Sequence, residues 1–147
     1  MTEADVKFVT INEVPDDATL SKLVACANKL IDETTLEAWK DKLSDRAAVF
    51  ISYAESAGTV VGFKVGYELK PTLFYSWVGG VLDAHRNKGI ATQMINDQLN
   101  FCSTNGFTVI KAISDNRYKD MMICNLRAGF DFCETKLDDE GILRVVM

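Results

Sequence analysis

"HRNKGIATQM", residues 85–94, is the stretch from which the rest of this chain can be read. A short basic loop, Arg86-Asn87-Lys88-Gly89, runs into a segment where Ala91, Met94, Ile95, Leu99 and Cys102 recur near helical spacing, with Asn96, Asp97 and Asn100 between them. That pattern predicts a helix with one apolar face. The residues ahead of it, "TLFYSWVGGVL" (72–82), are rich in aromatic and branched types and predict a strand. The quoted piece is therefore a strand-to-helix turn. Such turns bind phosphate when backbone N–H groups point outward and the helix dipole adds partial positive charge. Gly89 lets a backbone approach a ligand closely, and Arg86 and Lys88 add charge. The loop is not a Walker loop, because no Gly-Lys-Ser or Gly-Lys-Thr is present. One glycine also cannot supply the dinucleotide fingerprint.

Working outward, "VKFVTI" (6–11) predicts a first strand. Pro15 and the acidic pair Asp16-Asp17 open a helix whose apolar face is Leu20, Leu23, Val24, Ala27, Leu30 and Ile31. "TTLEAWKDKL" (34–43) predicts a shorter helix with Leu36, Trp39 and Leu43 inward. "AAVFISYAE" and "TVVGFKVGYEL" flank a turn around residues 56–58 and predict a hairpin. Pro71 breaks the chain before the strand at 72–82. Downstream of the quoted helix, which stops near Asn105-Gly106, "FTVIKAIS" (107–114) reads as a strand buried on both faces. "YKDMMICNLRA" (118–128) is helical, with Gly129 as its stop. "FDFCETKL" (130–137) and "ILRVVM" (142–147) are strands around the turn "DDEG". The order β-α-α-β-β-β-α-β-α-β-β predicts an α/β sandwich. Its central sheet is mixed and mostly antiparallel, of about seven strands with about four helices, and its parallel piece lies around 72–113.

At 147 residues the chain is expected to form one domain, 1–147, with room for a real core. Apolar residues are 48% and charged residues 25%, which is globular rather than disordered composition. The net charge is −5, with 16 Lys and Arg against 21 acids, so no nucleic-acid partner is expected. No apolar run approaches membrane-spanning length and the N-terminus lacks a signal-peptide pattern, so the expected location is the cytoplasm, with no membrane partner. The four cysteines, Cys26, Cys102, Cys124 and Cys133, contain no Cys-x-x-Cys pair and read as free thiols. With a single histidine, no metal is expected.

Taken together, "RNKGIA" (86–91) and "DNRYKDMMICNLRAGFDF" (115–132) resemble the GNAT superfamily of acyl-CoA N-acyltransferases. Members carry Arg or Gln-x-x-Gly-x-Gly or Ala after the fourth strand, with Ala91 here in the small-residue place. Many have an Asn-rich helix downstream that ends in Gly-Phe, matched by Asn116, Met121, Asn125, Gly129 and Phe130. Element order agrees across nearly the whole chain. The resemblance implies acetyl-CoA as acyl donor, with the amides of Arg86, Asn87, Lys88, Gly89, Ile90 and Ala91 holding the pyrophosphate. It also implies that the Val81 backbone pairs with the pantetheine arm, while Asn116 and Asn125 face the arm's other side. Independently, Gly79-Gly80 interrupts a branched strand and predicts a bulge or a close backbone approach. A bulge there would splay this strand from 107–113 and open a slot.

Acyl transfer from a thioester to an amine needs an unprotonated amine and an oxyanion site, which a backbone N–H near Gly80 or Val81 could supply. Base candidates are Glu68, Tyr75, Ser76 and His85, with His85 placed on the phosphate side of the loop. In "FYSW" (74–77), alternation puts Phe74 and Ser76 on one face and Tyr75 and Trp77 on the other, one pair for the core and one for an acceptor pocket. Many family members place a proton-donating tyrosine four residues before the helix-ending glycine; here that place holds Asn125, which cannot give up a proton. Asn125 is therefore expected to orient the pantetheine arm or the thioester, with water supplying the proton, and loss of the Tyr118 phenol is expected to have little effect on turnover. The acidic turn Asp138-Asp139-Glu140 is expected to attract a cationic amine. The acceptor's identity and a homodimer stay open. Two rival readings remain: a non-catalytic acyl-CoA-binding sensor or partner domain on the same scaffold, and a protein-interaction domain that binds no CoA.

Overall fold

Side-chain caps set the first two helices. The Asp16 carboxylate accepts from the Thr19 N–H at 2.9 Å and starts α1 (Asp17–Ala27). Thr35 Oγ1 accepts from the Ala38 N–H at 3.1 Å and starts α2 (Leu36–Leu43). The computed structural model describes residues 6–31 and 33–147. Around the two helices run β1 (Val6–Ile11), β2 (Val49–Ser56), β3 (Thr59–Lys70), β4 (Leu73–Val81), α3 (Ile90–Thr104), β5 (Val109–Asp115), α4 (Lys119–Arg127), β6 (Glu134–Leu137) and β7 (Leu143–Val146). This is the predicted order. The sheet has seven strands in the order β1-β2-β3-β4-β5-β7-β6, and only β4 and β5 pair in parallel. Among the described residues, no helix is long and apolar enough to cross a membrane.

Helix α1 stops at Ala27, short of Leu30 and Ile31. The last turn tightens as the Lys29 and Leu30 N–H groups reach carbonyls three residues back, and Asn28 Oδ1 takes the Thr34 N–H at 2.7 Å. Leu30 and Ile31 still pack on the same core, which α1 and α2 build with Trp39, Phe63 and Tyr67 on one face of the sheet. The β2–β3 hairpin turns on Ala57 and Gly58, both left-handed with φ of 52° and 79°, the signature of a two-residue turn matched to strand twist.

On the other face α3 buries Ile90, Met94, Ile95 and Cys102. Leu99 is only half-buried, and Gln98, 1% exposed, takes the inward place. The cause lies across the interface. A Cβ on Gly66 would stand 2.3 Å from Phe74 Cε2 and 2.9 Å from Gln98 Nε2, so the glycine leaves a hollow that the glutamine fills.

Three further expectations are corrected. The bulge sits at Trp77, not at Gly79-Gly80: Val65 pairs with Val78 and Gly66 with Ser76, so Trp77 is the extra residue. Gly79 and Gly80 pair regularly with Lys64 and Phe63 and serve close approach, since a Cβ there would meet Lys64 Cδ at 2.9 Å or Leu30 Cδ1 at 3.0 Å. Strand β5 is not buried on both faces. Only Ala112 and Asp115 are buried, and Val109 is 53% exposed. Finally, the strand expected at 130–137 is regular only over β6, with Cys133 held by one bond to the Val146 carbonyl.

Candidate active site

Strand β4 pairs with β5 from Leu73–Val109 to Ser76–Ala112 and then leaves it. The bulge at Trp77 falls one residue beyond the last pair, where added twist turns β4 away from its neighbour. The result is a cleft of about 590 Å³. Its walls are β4 from Tyr75 to Gly79, β5 from Ala112 to Asp115, α4 through Met121 and Asn125, and the α1–α2 connection with Trp39. The splay that was predicted is present, beginning two residues earlier along β4 than expected.

Alternation in "FYSW" resolves as a division of labour. Phe74 is buried against Phe101 and Phe107, with ring centroids 5.8 and 5.1 Å away. Tyr75 and Trp77 face the cleft beside Trp39 and Tyr67. Burial pushes the Tyr75 phenol above its ordinary range, with the Tyr67 phenol adding to the rise and Arg144 opposing it. Tyr75 is thus a hydrogen-bond donor near neutral pH and a poor base. Ser76 is buried in the cleft wall, its Oγ without a partner among the described residues.

Glu68 is not brought into the cleft. It stands opposite Phe74 in the β3–β4 ladder and so shares the α3 face. His85 closes a short 3-10 turn, Asp83–His85, outside the cleft lining, with Nδ1 buried and unpartnered among the described residues. Asn116 is exposed and does not line the cleft, whereas Asn125 does. Asn125 is 2% exposed; its Nδ2 lies 4.0 Å from Met147 Sδ, and its Oδ1 has no partner among the described residues. A buried, unsatisfied carbonyl oxygen of this kind is costly unless a ligand N–H meets it. Tyr118 lies on the cleft wall, under the Arg117 guanidinium at 5.2 Å.

At the head of α3, Asn87 and Gly89 are left-handed, with φ of 62° and 80°. No side chain caps the helix, and its first internal bond is from the Gln93 N–H to the Gly89 carbonyl at 3.0 Å. The Ile90, Ala91 and Thr92 amides therefore lack helical acceptors, at the positive end of a 15-residue helix. A Cβ on Gly89 would meet nothing within 4 Å. The Arg86 side chain does not point its charge at this site. Its Nε donates to the Val81 carbonyl at 2.9 Å, and Nη1 pairs with Asp83 at 2.8 Å and Asp120 at 3.2 Å. Arg86 thus ties the end of β4 to α4, and of the Val81 backbone expected to meet the pantetheine arm the carbonyl already accepts from Arg86. Val81 itself is buried against Ile90 and Met94.

Several cleft residues were not singled out from sequence. Asp115, at the end of β5, accepts from Arg117 Nε at 3.0 Å and Arg144 Nη1 at 2.7 Å. The Arg117 hydrogen bond, more than any other contact, holds the Asp115 carboxyl below the usual range. Arg144 also grips Asp138 at 2.8 Å. Asp138 accepts from the Ile142 and Glu140 N–H groups, and the Ile142 bond chiefly lowers its titration. Of the three acids expected to attract a cationic amine, Asp138 is therefore committed to its own hairpin, while Asp139 and Glu140 are exposed. Lys64, in mid-β3, is 3% exposed and lines the cleft, and burial lowers its ammonium to about 8. A lysine inside "VVGFKVGY" was the available signal. Among the described residues, no group of three His, Cys, Asp or Glu could hold a metal ion.

A model of the Acetyltransferase (GNAT) family matches residues 17–120. The chain belongs to the GNAT acetyltransferase family. That match runs from α1 to the first turn of α4 and includes both β4 and the loop that follows it. Solved GNAT-like structures share the fold over nearly the whole chain. Arabidopsis thaliana Naa50, in complex with the bisubstrate analogue CoA-Ac-MVNAL, has a TM-score of 0.75 at 21% identity, covering 97% of both chains. Ard1 from Thermoplasma volcanium has a TM-score of 0.75 at 16% identity, over 94% of this chain and 95% of its own. The Salmonella typhimurium protein yncA, solved with its cofactor acetyl-CoA, has a TM-score of 0.72 at 14% identity, over 94% and 91%. A search of curated protein sequences finds no match.

Proposed function

We propose that this GNAT chain transfers an acetyl group from acetyl-CoA to a primary amine of a small molecule or peptide by direct attack. The observation that carries the reading is the cleft left where β4 parts from β5, with an uncapped α3 N-terminus in the loop directly after β4. One offers a slot for an extended arm and the other a cluster of donors for an anion. The complexes of Naa50 with a CoA-peptide conjugate and of yncA with acetyl-CoA support it.

In this reading the amides of residues 87–91 hold the pyrophosphate, with the exposed Lys88 ammonium beside them. The pantetheine arm lies along β4 at residues 77–79, and the unsatisfied Asn125 Oδ1 takes one of its amide N–H groups. The acceptor enters past Trp39, Tyr75 and Trp77, whose rings exclude water from the reacting carbonyl. The Tyr75 phenol, kept protonated by burial, donates a hydrogen bond there. With Glu68 outside the cleft lining, water at the cleft mouth takes the proton of the incoming amine. No covalent enzyme intermediate is needed.

The test is release of free thiol from acetyl-CoA in the presence of a broad amine panel. Amine-dependent release is expected. CoA binding without it would favour the sensor reading, and no binding would favour an interaction domain. Asn125→Ala is expected to weaken CoA binding and to lower turnover together, each by about tenfold, as for a hydrogen bond lost from a buried site. The acidic limb of the pH–rate profile should stay unchanged.

A further inference from the structure

Among the described residues, Lys64 is the one buried cation in the cleft wall, and nothing in the proposed function uses it. It sits on β3 between Ser52 of β2 and Gly79 of β4. The absence of a side chain at Gly79 gives its stem a path, since a Cβ there would stand 2.9 Å from Lys64 Cδ. Among the described residues, no carboxylate pairs with its ammonium. Among the described residues, the titratable group that acts on it is the Cys124 thiol of α4, next in the chain to Asn125. An unpaired ammonium is costly to bury. Its exposure is 3%, and Asn125, Met121 and Gly79 line the same cleft.

We propose that the Lys64 ammonium protonates the departing CoA thiolate. This rests on the acetyltransferase reading above and deepens it, replacing bulk water as the acid. The neutral amine adds to the thioester carbonyl, giving an oxyanion and an ammonium on the attacking nitrogen. That nitrogen gives a proton to water. The oxyanion then reforms the carbonyl, the C–S bond breaks, and its electron pair stays on sulfur. One Nζ proton of Lys64 passes to the sulfur, leaving CoA thiol and a neutral lysine, which regains a proton from water. The exchange is close to balanced. Burial brings Lys64 to about 8, and a thiol titrates at about 8.5. Asn125, which lines the same cleft, cannot release a proton and orients the arm.

The test needs no acceptor. The thiol of bound CoA is titrated by its thiolate ultraviolet absorbance, with desulfo-CoA as the blank for the protein's own thiols. In the wild-type protein the bound thiol should ionise about one unit or more below free CoA, because a cation faces the sulfur. In Lys64→Met, which keeps the stem and removes the charge, it should ionise at or above the free value. Turnover with the amine found in the panel should fall by about a hundredfold or more in Lys64→Met, the usual share of a general acid. Lys64→Arg should keep the lowered thiol titration and still lose turnover, because a guanidinium does not release its proton. Identical thiol titrations in wild type and Lys64→Met would overturn the proposal, as would wild-type turnover in Lys64→Arg. A wild-type protein that binds no CoA would fail earlier and overturn the acetyltransferase reading itself.

Discussion

Gly89→Val is expected to lower CoA affinity by roughly a hundredfold or more, about 3 kcal/mol of binding free energy, while the fold survives. Gly89 holds φ at 80°, where a β-branched side chain is strained by about 1–3 kcal/mol. Relief of that strain would turn the amides of residues 89–91 away from a common focus. The added side chain would also stand in the space a pyrophosphate must enter, since a Cβ there meets no protein atom within 4 Å. The damage therefore falls on the ligand rather than on the core. Gly89→Ala, smaller and unbranched, should lie between. Calorimetric CoA titration beside a denaturant unfolding curve measures both effects. Wild-type affinity in Gly89→Val would remove the α3 N-terminus from the site.

Lys64→Met should stabilise the folded chain at neutral pH by up to about 3 kcal/mol, an unusual sign for a change at a buried position. The ammonium titrates at about 8 in the folded state against 10.5 for an ordinary lysine, and each unit is worth about 1.4 kcal/mol. Below pH 8 both states hold the proton and the cost of burial is borne in full. Between about 8 and 10.5 the unfolded chain holds a proton that the folded chain has lost, so wild-type stability rises with pH. Tyr53, Tyr67 and Tyr75, raised chiefly by burial, act oppositely above their ordinary value near 10, because the unfolded chain ionises first. Subtracting the variant's pH–stability curve from the wild type's cancels the tyrosines and leaves Lys64. The advantage of Lys64→Met should shrink as pH goes from about 7 to about 10. A constant difference would mean that Lys64 is solvated in the folded state. Such a gain in stability with a loss of turnover is the usual trade at a working site.

Features that depend on neighbours in sequence were legible. Asp16 and Thr35 cap helices because their oxygens reach N–H groups three residues on, and Ala57-Gly58 turns a hairpin through local backbone geometry. The 86–91 loop was readable for the same reason, since strand, glycine and amphipathic helix lie in one run. Features that depend on what lies across the sheet were not. The bulge lies between the Val65–Val78 and Gly66–Ser76 pairs, and period-two alternation in β4 carries no trace of its partner. Glu68 stood out as a candidate base only because it is an acid, and nothing in the sequence said whether it reaches the cleft. Lys64 shares its parity on β3, but only the departure of β4 from β5 makes that part of the face a cleft wall. Arg86 was read as a phosphate ligand because it stands in the loop; its real partners, Asp120 and the Val81 carbonyl, come from α4 and the end of β4. The Arg117–Asp115–Arg144–Asp138 chain joins two segments far apart in sequence, so no motif announces it.

The central claim is that CoA lies in the gap between β4 and β5 with its pyrophosphate on the head of α3. Amide chemical-shift mapping during a CoA titration tests it most directly. Saturable shifts should fall on residues 87–92, on β4 from Trp77 to Val81, and on α4 around Asn125, and should be lost in Gly89→Val. Saturable shifts confined to other surfaces, or none at all, would contradict it.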